Sequence, residues 1–330
     1  MRRREFIAGL GSAAAWPLAA RAQRPGRVQR VGVLVALDET DPQGMARFSG
    51  FMHQLAELGW IEGRNLRMDF RWAAGNVDRM RLFAKELVSL KPDVILATST
   101  PVAAALQEET RTIPIVFANL NDPVASGFVA SLSHPGGNLT GLINVEATMG
   151  GKRLQLLTEI APGMKRVAIM FSPNTAPYVT SYFQPSFEAA ARLVQVEPIM
   201  APVHSDAEIE TVIRSLGREP GGGLITAPDN FLVNQRQTVI SLAARNNVPA
   251  VYQISVFVRD GGLLSYGADD VDNYRRAATF VDRIFRGASP ADLPVQLPTK
   301  FEMVVNLKTA KALGLEVPPS ILLRATEVVE

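Results

Sequence analysis

Two kinds of apolar pattern alternate along this chain. Short uninterrupted runs at residues 31–36, 94–97, 115–118, 167–171, 223–226 and 250–252 read as strands buried on both faces. Residues 66–72 alternate as a more exposed strand would, and 138–142, 196–200, 263–266 and 301–305 read as further strands, the first of them a candidate crossover. Between them, apolar positions recur every three or four residues. Over 45–58 the apolar stripe is Phe48, Met52, Leu55 and Leu58, with Gly59 as C-cap. The same reasoning predicts helices over 78–90, from Pro101 onward, from Pro123 to about 132, and over 146–160, 186–193, 206–216, 232–246 and 270–286. A last helix begins near Lys308 and ends by Gly314, before Pro318-Pro319. Continuous apolar strands joined by helices predict parallel sheets covered on both faces.

The strand pattern occurs twice. RVGVLV from Arg30 matches RVAIMF from Arg166, an offset of 136; ILAT from Ile95 matches LITA from Leu224, an offset of 129; IPIVF from Ile113 matches VPAVY from Val248, an offset of 135. Three similar strands in one order at nearly constant offset predict two copies of one α/β unit, far longer than a solenoid repeat. The remainder is too short for a third domain, so its pieces complete the two lobes and the chain crosses between them more than once. The expected division is residues 26–144 with 267–296 as one lobe, and 145–266 with 297–330 as the other. Hinges are expected near 142–146, 265–269 and 295–299, with a ligand cleft between the lobes.

In open parallel sheets, ligands bind just beyond the carboxyl ends of the strands. Here those ends carry Ser99, Thr100, Asn121, Asp122, Asn174, Tyr178, Asp229, Asn230, Tyr252 and Tyr266, and the first polar turn carries Thr40. Hydroxyls, amides and carboxylates beside an aromatic wall can orient a small polar molecule while burying its apolar part. Asp229 or Asp122 could take an ammonium group. Ser99, Thr100 and the N–H groups at the Pro101 helix start could take a carboxylate. The same residues also suit plain structural work: Ser99 or Thr100 before Pro101, Asn121-Asp122-Pro123 and Asp229-Asn230 are ordinary caps and turns.

Catalytic patterns are missing. His53, His134 and His204 lie far apart, and the sequence has no HExxH, no HxH and no GxSxG. Gly221-Gly222-Gly223 precedes a strand where a nucleotide-binding motif would follow one. No metal and no cofactor is expected. The 330 residues contain no cysteine, which excludes disulfides, thiol catalysis and thiolate metal sites.

Length suits two domains, and a composition 47% hydrophobic and 20% charged suits a soluble globular protein. The basic balance comes from the first 22 residues: Arg2, Arg3, Arg4 and Arg21 against Glu5, without which the net charge falls from +2 to −1. That leaves no electrostatic case for nucleic acid. Residues 1–22 read as a cleaved export signal: a basic start, an apolar run over 7–20 and the small-x-small site Ala20-Arg21-Ala22. The run of about 14 residues is short of the roughly 20 that a membrane-spanning helix needs. Arg3-Arg4-Glu5-Phe6-Ile7 resembles a twin-arginine signal, with Ala8 where a lysine is usual.

ATSTPVAAAL from Ala97, IPIVFANLNDPVASGFVASL from Ile113, PGGNLTG from Pro135 and APDN from Ala227 resemble the substrate-binding proteins of ABC transporters, over about residues 31–325. More narrowly, the chain is similar to the group that includes tryptophan- and tyrosine-binding members. The resemblance implies a periplasmic-binding fold of type I kind, two doubly wound parallel-sheet lobes joined by a multi-strand hinge. It also implies a permease and an ATPase as partners, no chemical turnover, and Thr100, Asn121, Asp122, Asn174, Asp229 and Asn230 on pocket-lining segments. The first loop departs from the aromatic-amino-acid members, since ALDETDP over 36–42 has no aromatic residue.

The expected function is therefore an exported, monomeric, periplasmic solute receptor of an ABC importer. It would close two lobes on a small polar or amino-acid-like ligand, aromatic ones included. A two-lobed racemase- or transferase-like enzyme is one alternative, but racemases of that shape use a cysteine pair. A periplasmic sensing domain for a membrane receptor is the other. A transcription regulator of this fold would need a helix-turn-helix before residue 31.

Overall fold

A computed structural model describes residues 27–330; the expected export signal lies outside the described residues. The first part of the chain runs β1 (Gln29–Val35), α1 (Pro42–Glu57), β2 (Leu66–Trp72), α2 (Val77–Ser89), β3 (Val94–Ala97), α3 (Thr100–Glu109), β4 (Ile115–Leu120) and β5 (Leu139–Ile143). The second runs α4 (Met149–Ile160), β6 (Arg166–Phe171), α5 (Gln184–Val194), β7 (Glu197–Pro202), α6 (Asp206–Gly217), β8 (Gly222–Thr226), α7 (Asn230–Asn234), α8 (Arg236–Arg245), β9 (Ala250–Tyr252), α9 (Val256–Arg259) and β10 (Leu264–Ala268). Then come α10 (Asp270–Phe285), β11 (Phe301–Asn306), α11 (Leu307–Ala312), α12 (Pro319–Arg324) and β12 (Glu327–Val329).

Strands β1–β5 form one parallel sheet in the order β2-β1-β3-β4-β5. The second sheet has the order β12-β11-β10-β9-β8-β6-β7, parallel except where β10 meets β11. The inner order of the two sheets is the same, so β1, β3 and β4 correspond to β6, β8 and β9. The repeat read from the strand sequences is a repeat of topology. Each apolar run is buried because helices cover both faces of its sheet. In the first sheet, Phe48, Phe51 and Leu55 of α1 and Ala277, Phe280 and Val281 of α10 pack on one face, with Met80 and Ala84 of α2 and Val102 and Leu106 of α3 on the other. In the second, α4 and α5 cover one face and α6 and α8 the other.

Helix α10 follows β10 of the second sheet but packs on α1, β4 and β5 of the first. The chain then returns to the second sheet through β11. It thus crosses between sheets three times, at 144–148, at Asp269 and at 297–300. Two crossings are tied together: Ile143 N donates to Gln296 O and Gln296 N to Gly141 O, each at 3.0 Å.

Two predicted helices differ. Residues 123–132 form turns: Gly127 takes φ +72°, and Phe128 N and Val129 N both return to Pro123 O, which closes the segment before a helix can propagate. The helix expected over 232–246 is two, α7 and α8, because the backbone leaves helical geometry at Gln235, whose φ is −95° and ψ 15°. Three short elements, α9, α12 and β12, carry too few periodic positions to be read from sequence.

Candidate functional site

The carboxyl ends of both sheets face one cavity of about 440 Å³ of empty space, the part open to solvent included. From the first lobe it is lined by Arg47, Thr98, Ser99, Thr100, Asn119, Asn121, Asn144 and Asp270. From the second come Thr175, Pro228, Asp229, Asn230, Val233, Gln253 and Ile254.

The first-lobe wall is a connected polar network. Ser99 caps α3, its Oγ accepting from Val102 N at 3.4 Å, and Thr100 Oγ1 accepts from Asn121 N at 3.3 Å. Strand β4 shifts register against β5 between Phe117 and Leu120, and Asn119 there takes φ +62°, a left-handed conformation that asparagine tolerates better than most residues. That turn sends the Asn119 side chain to Asp270, Nδ2 donating to Oδ1 at 2.9 Å, while Asn273 Nδ2 donates to Asn119 Oδ1 at 3.1 Å. Asp270 also forms a buried ion pair with Arg47. Burial disfavours the Arg47 charge, but Asp270 and Tyr274 more than offset it, so its pKa lies above the ordinary arginine value.

The second-lobe wall centres on Asp229, which is 4% exposed. It caps α7 by accepting from Phe231 N at 2.9 Å, accepts from Ser172 N at 2.6 Å, and accepts a further hydrogen bond from the Thr175 hydroxyl. Burial pushes its pKa up to about 6; the hydrogen bonds from Thr175, Ser172 and Phe231 pull the other way and lose. The Thr226 hydroxyl donates to Gln253 Oε1 and so fixes the Gln253 amide.

Four buried polar atoms on these walls have no partner among the described residues: Arg47 Nε, Asn121 Oδ1, Asn144 Oδ1 and Gln253 Nε2. Buried polar atoms are normally paired, so four around one cavity fit a site that a solute or water completes. No histidine lines the cavity. His53 and His204 are exposed and pair with Glu57 and Glu208, each four residues further along the chain. Among the described residues no cluster of three or more histidine, cysteine, aspartate or glutamate side chains could hold a metal.

Of the residues nominated from sequence, Ser99, Thr100, Asn121, Asp229 and Asn230 line the cavity together. Thr40 lines a second cavity beside it, with Asp38, Asp41, Pro42, Ala74, Asn234 and Arg236. The other five do not line the cavity. Asp122 is half-buried and accepts from Ala125 N at 3.2 Å, and Asn174 is exposed. The three tyrosines finish the core instead. Tyr178 donates to Pro228 O, Tyr252 is stacked on Phe257 at 4.8 Å between ring centres, and Tyr266 on Phe301 at 5.9 Å. Thr98, Asn119, Asn144, Thr175 and Gln253 were not nominated as site residues from the sequence, although each lies at or just beyond a strand end. Arg47 and Asp270 sit in helices and carry no such signal.

Comparison with known proteins agrees with this architecture. The family model of ABC transporter substrate binding proteins matches residues 30–329. A curated protein of Clostridioides difficile (strain R20291), the tyrosine-binding protein, is 28% identical over 267 residues, covering 81% of this chain and 76% of its own. The structure of an ABC domain from Streptococcus pneumoniae in complex with L-Trp superposes with a TM-score of 0.84 at 25% identity, covering 91% of this chain and 99% of that one. The ligand-free, open structure of a Clostridium difficile substrate binding protein with adhesive properties gives 0.68 at 26% identity, covering 92% and 99%.

Proposed function

The chain belongs to the ABC transporter substrate-binding proteins, and from that premise we propose that its two lobes close on a small polar, amino-acid-like solute and present it to a membrane permease. The observation that carries the reading is the set of unpartnered polar atoms converging from both lobes on one cavity, Asn121 and Asn144 from one side and Gln253 from the other. A solute that pairs with both walls stabilises the closed form, and closure is what a permease can sense.

In this reading the lobes divide at the three crossings, residues 26–144 with 267–296 against 145–266 with 297–330. Ser99, Thr100, Asn121, Asp229 and Asn230 contact the solute. The lobe arrangement supports it too: similarity to the L-Trp complex is higher than to the open, ligand-free structure, 0.84 against 0.68, at nearly equal identity. In this reading the solute leaves unchanged, in keeping with the substrate-binding family whose model matches residues 30–329. The protein is periplasmic and monomeric, reaches that compartment through the twin-arginine-like signal of residues 1–22, and delivers to a permease driven by an ATPase.

The test is thermal unfolding of the purified protein against amino acids, small peptides and sugars at millimolar concentration. A compound at 100 times its dissociation constant adds about 2.7 kcal/mol of stability. A raised midpoint with the compound recovered unchanged supports the reading; a compound consumed makes the protein an enzyme.

A further inference from the structure

Twelve of the fifteen residues lining the cavity are polar or charged, and none is aromatic. The apolar lining is Pro228, Val233 and Ile254 alone. Small-molecule pockets are ordinarily lined by hydrophobic and aromatic side chains with only a few polar groups; a wall that reverses this ratio suits a ligand with little apolar surface to bury.

The aromatic side chains near the strand ends are committed elsewhere. Tyr178 is held by the Pro228 carbonyl, Tyr252 is 1% exposed against Phe257, and Tyr266 lies on Phe301. Nor does the first loop supply a ring. Its Asp38, Thr40 and Asp41 line the neighbouring cavity, where Asp41 pairs with Arg236. A large ring in either direction would be buried against amides and ion pairs without satisfying them, and unpaired buried polar groups cost about 1–3 kcal/mol each.

The unpartnered atoms describe what would satisfy them. Asn121 Oδ1 and Asn144 Oδ1 accept, so the solute must offer N–H or O–H donors; Arg47 Nε and Gln253 Nε2 donate, so it must also offer acceptors. Charge is nearly balanced, because Asp270 neutralises Arg47 and leaves Asp229 as the acidic group of the cavity without a cation beside it. A zwitterion with a short side chain meets all of these demands.

We propose that the cavity takes a short, non-aromatic polar amino acid, of the class of serine, threonine, asparagine, alanine and glycine, and rejects tyrosine and tryptophan. The inference rests on the solute-receptor reading above and narrows it away from the amino acids named for two relatives. A site built to hydrogen-bond its ligand discriminates strongly against one that leaves its groups unpaired.

The experiment is isothermal titration of the purified protein with L-serine, L-threonine, L-asparagine, L-alanine and glycine, and in parallel with L-tyrosine and L-tryptophan. At least one of the five is expected to bind about 100-fold more tightly than either aromatic amino acid. Asn121→Ala is expected to weaken that binding about tenfold without lowering the unfolding midpoint, since Asn121 Oδ1 holds nothing in the unliganded fold. Tighter binding of L-tyrosine or L-tryptophan, or heat from none of the five, overturns the ligand class. The receptor reading fails by a different result: a binder of either class that holds Asn121→Ala and Gln253→Leu as tightly as the parent does not occupy this cavity.

Discussion

Arg236, the first residue of α8 in the second lobe, donates from Nη1 to Asp41 Oδ2 of the first lobe at 2.9 Å. Asp41 is also the residue that caps α1, its other oxygen accepting from Gln43 N at 2.9 Å and Gly44 N at 3.3 Å. Helix α1 carries Arg47 into the cavity, so the contact between lobes and the cation of the site share one element. The pair is sheltered, with side-chain exposures of 17% and 6%, and Asp260 holds Arg236 from the other side at 2.8 Å.

Removing this bridge should favour the open form. Arg236→Gln is expected to raise the radius of gyration seen by small-angle X-ray scattering. It should weaken solute binding by about 3- to 5-fold, the equivalent of about 1 kcal/mol for a partly sheltered pair. Unchanged scattering and affinity would show that the bridge does not contribute to closure.

Asp229 gives the protein a pH dependence of stability. Its pKa is near 4 in an unfolded chain and about 6 in the folded one, so between these values the native state holds more protons. Stability therefore falls as pH climbs from about 4 to about 6 and levels off above, by up to about 3 kcal/mol from this group. Urea unfolding across that range should show the slope, and Asp229→Asn should flatten it.

Gly267 lies in β10 where a Cβ would stand 2.0 Å from Gln253 O. Backbone cannot yield as the end of a side chain can, so Gly267→Ala should cost several kcal/mol in chemical denaturation. It should also displace Gln253 and abolish binding in the residual folded protein.

Arg153 of α4 is 1% exposed, with no carboxylate partner among the described residues. Its Nε donates to Tyr266 O at 2.9 Å, its guanidinium stands 5.8 Å from the centre of the Phe183 ring, and burial lowers its pKa to about 10. Packing should therefore matter more than charge. Arg153→Met is expected to stay within about 1 kcal/mol of the parent, and Arg153→Ala to lose about 2–4 kcal/mol more, measured by denaturant unfolding.

How much of this was legible follows from the range of each signal. Strands β1, β3, β4, β6, β8 and β9 were readable because burial on both faces leaves an unbroken apolar run. Their polar ends gave Ser99, Thr100, Asn121, Asp229 and Asn230, since position beyond a strand follows from the strand itself. Arg47 and Asp270 were not readable: their ion pair spans 223 residues and exists only because α10 folds back onto α1. Tyr178, Tyr252 and Tyr266 stand at the right ends, but a ring beside a strand end is as well served by the core as by a ligand, and only the packing of Phe257 and Phe301 decides. Turn geometry hid the rest. The helix expected from Pro123 to about residue 132 does not form, because Gly127 takes a positive φ that ends the segment.

Capture of a solute between two lobes that close must change the distance between those lobes. The chain has no cysteine, so Arg81→Cys and Arg214→Cys, on exposed faces of α2 and α6, accept spin labels at two defined points. Their distance distribution by pulsed electron paramagnetic resonance, with and without the tightest binder found by titration, is the direct test. Saturating solute is expected to shift the distribution to one narrow population. An identical distribution with solute bound would contradict capture by closure.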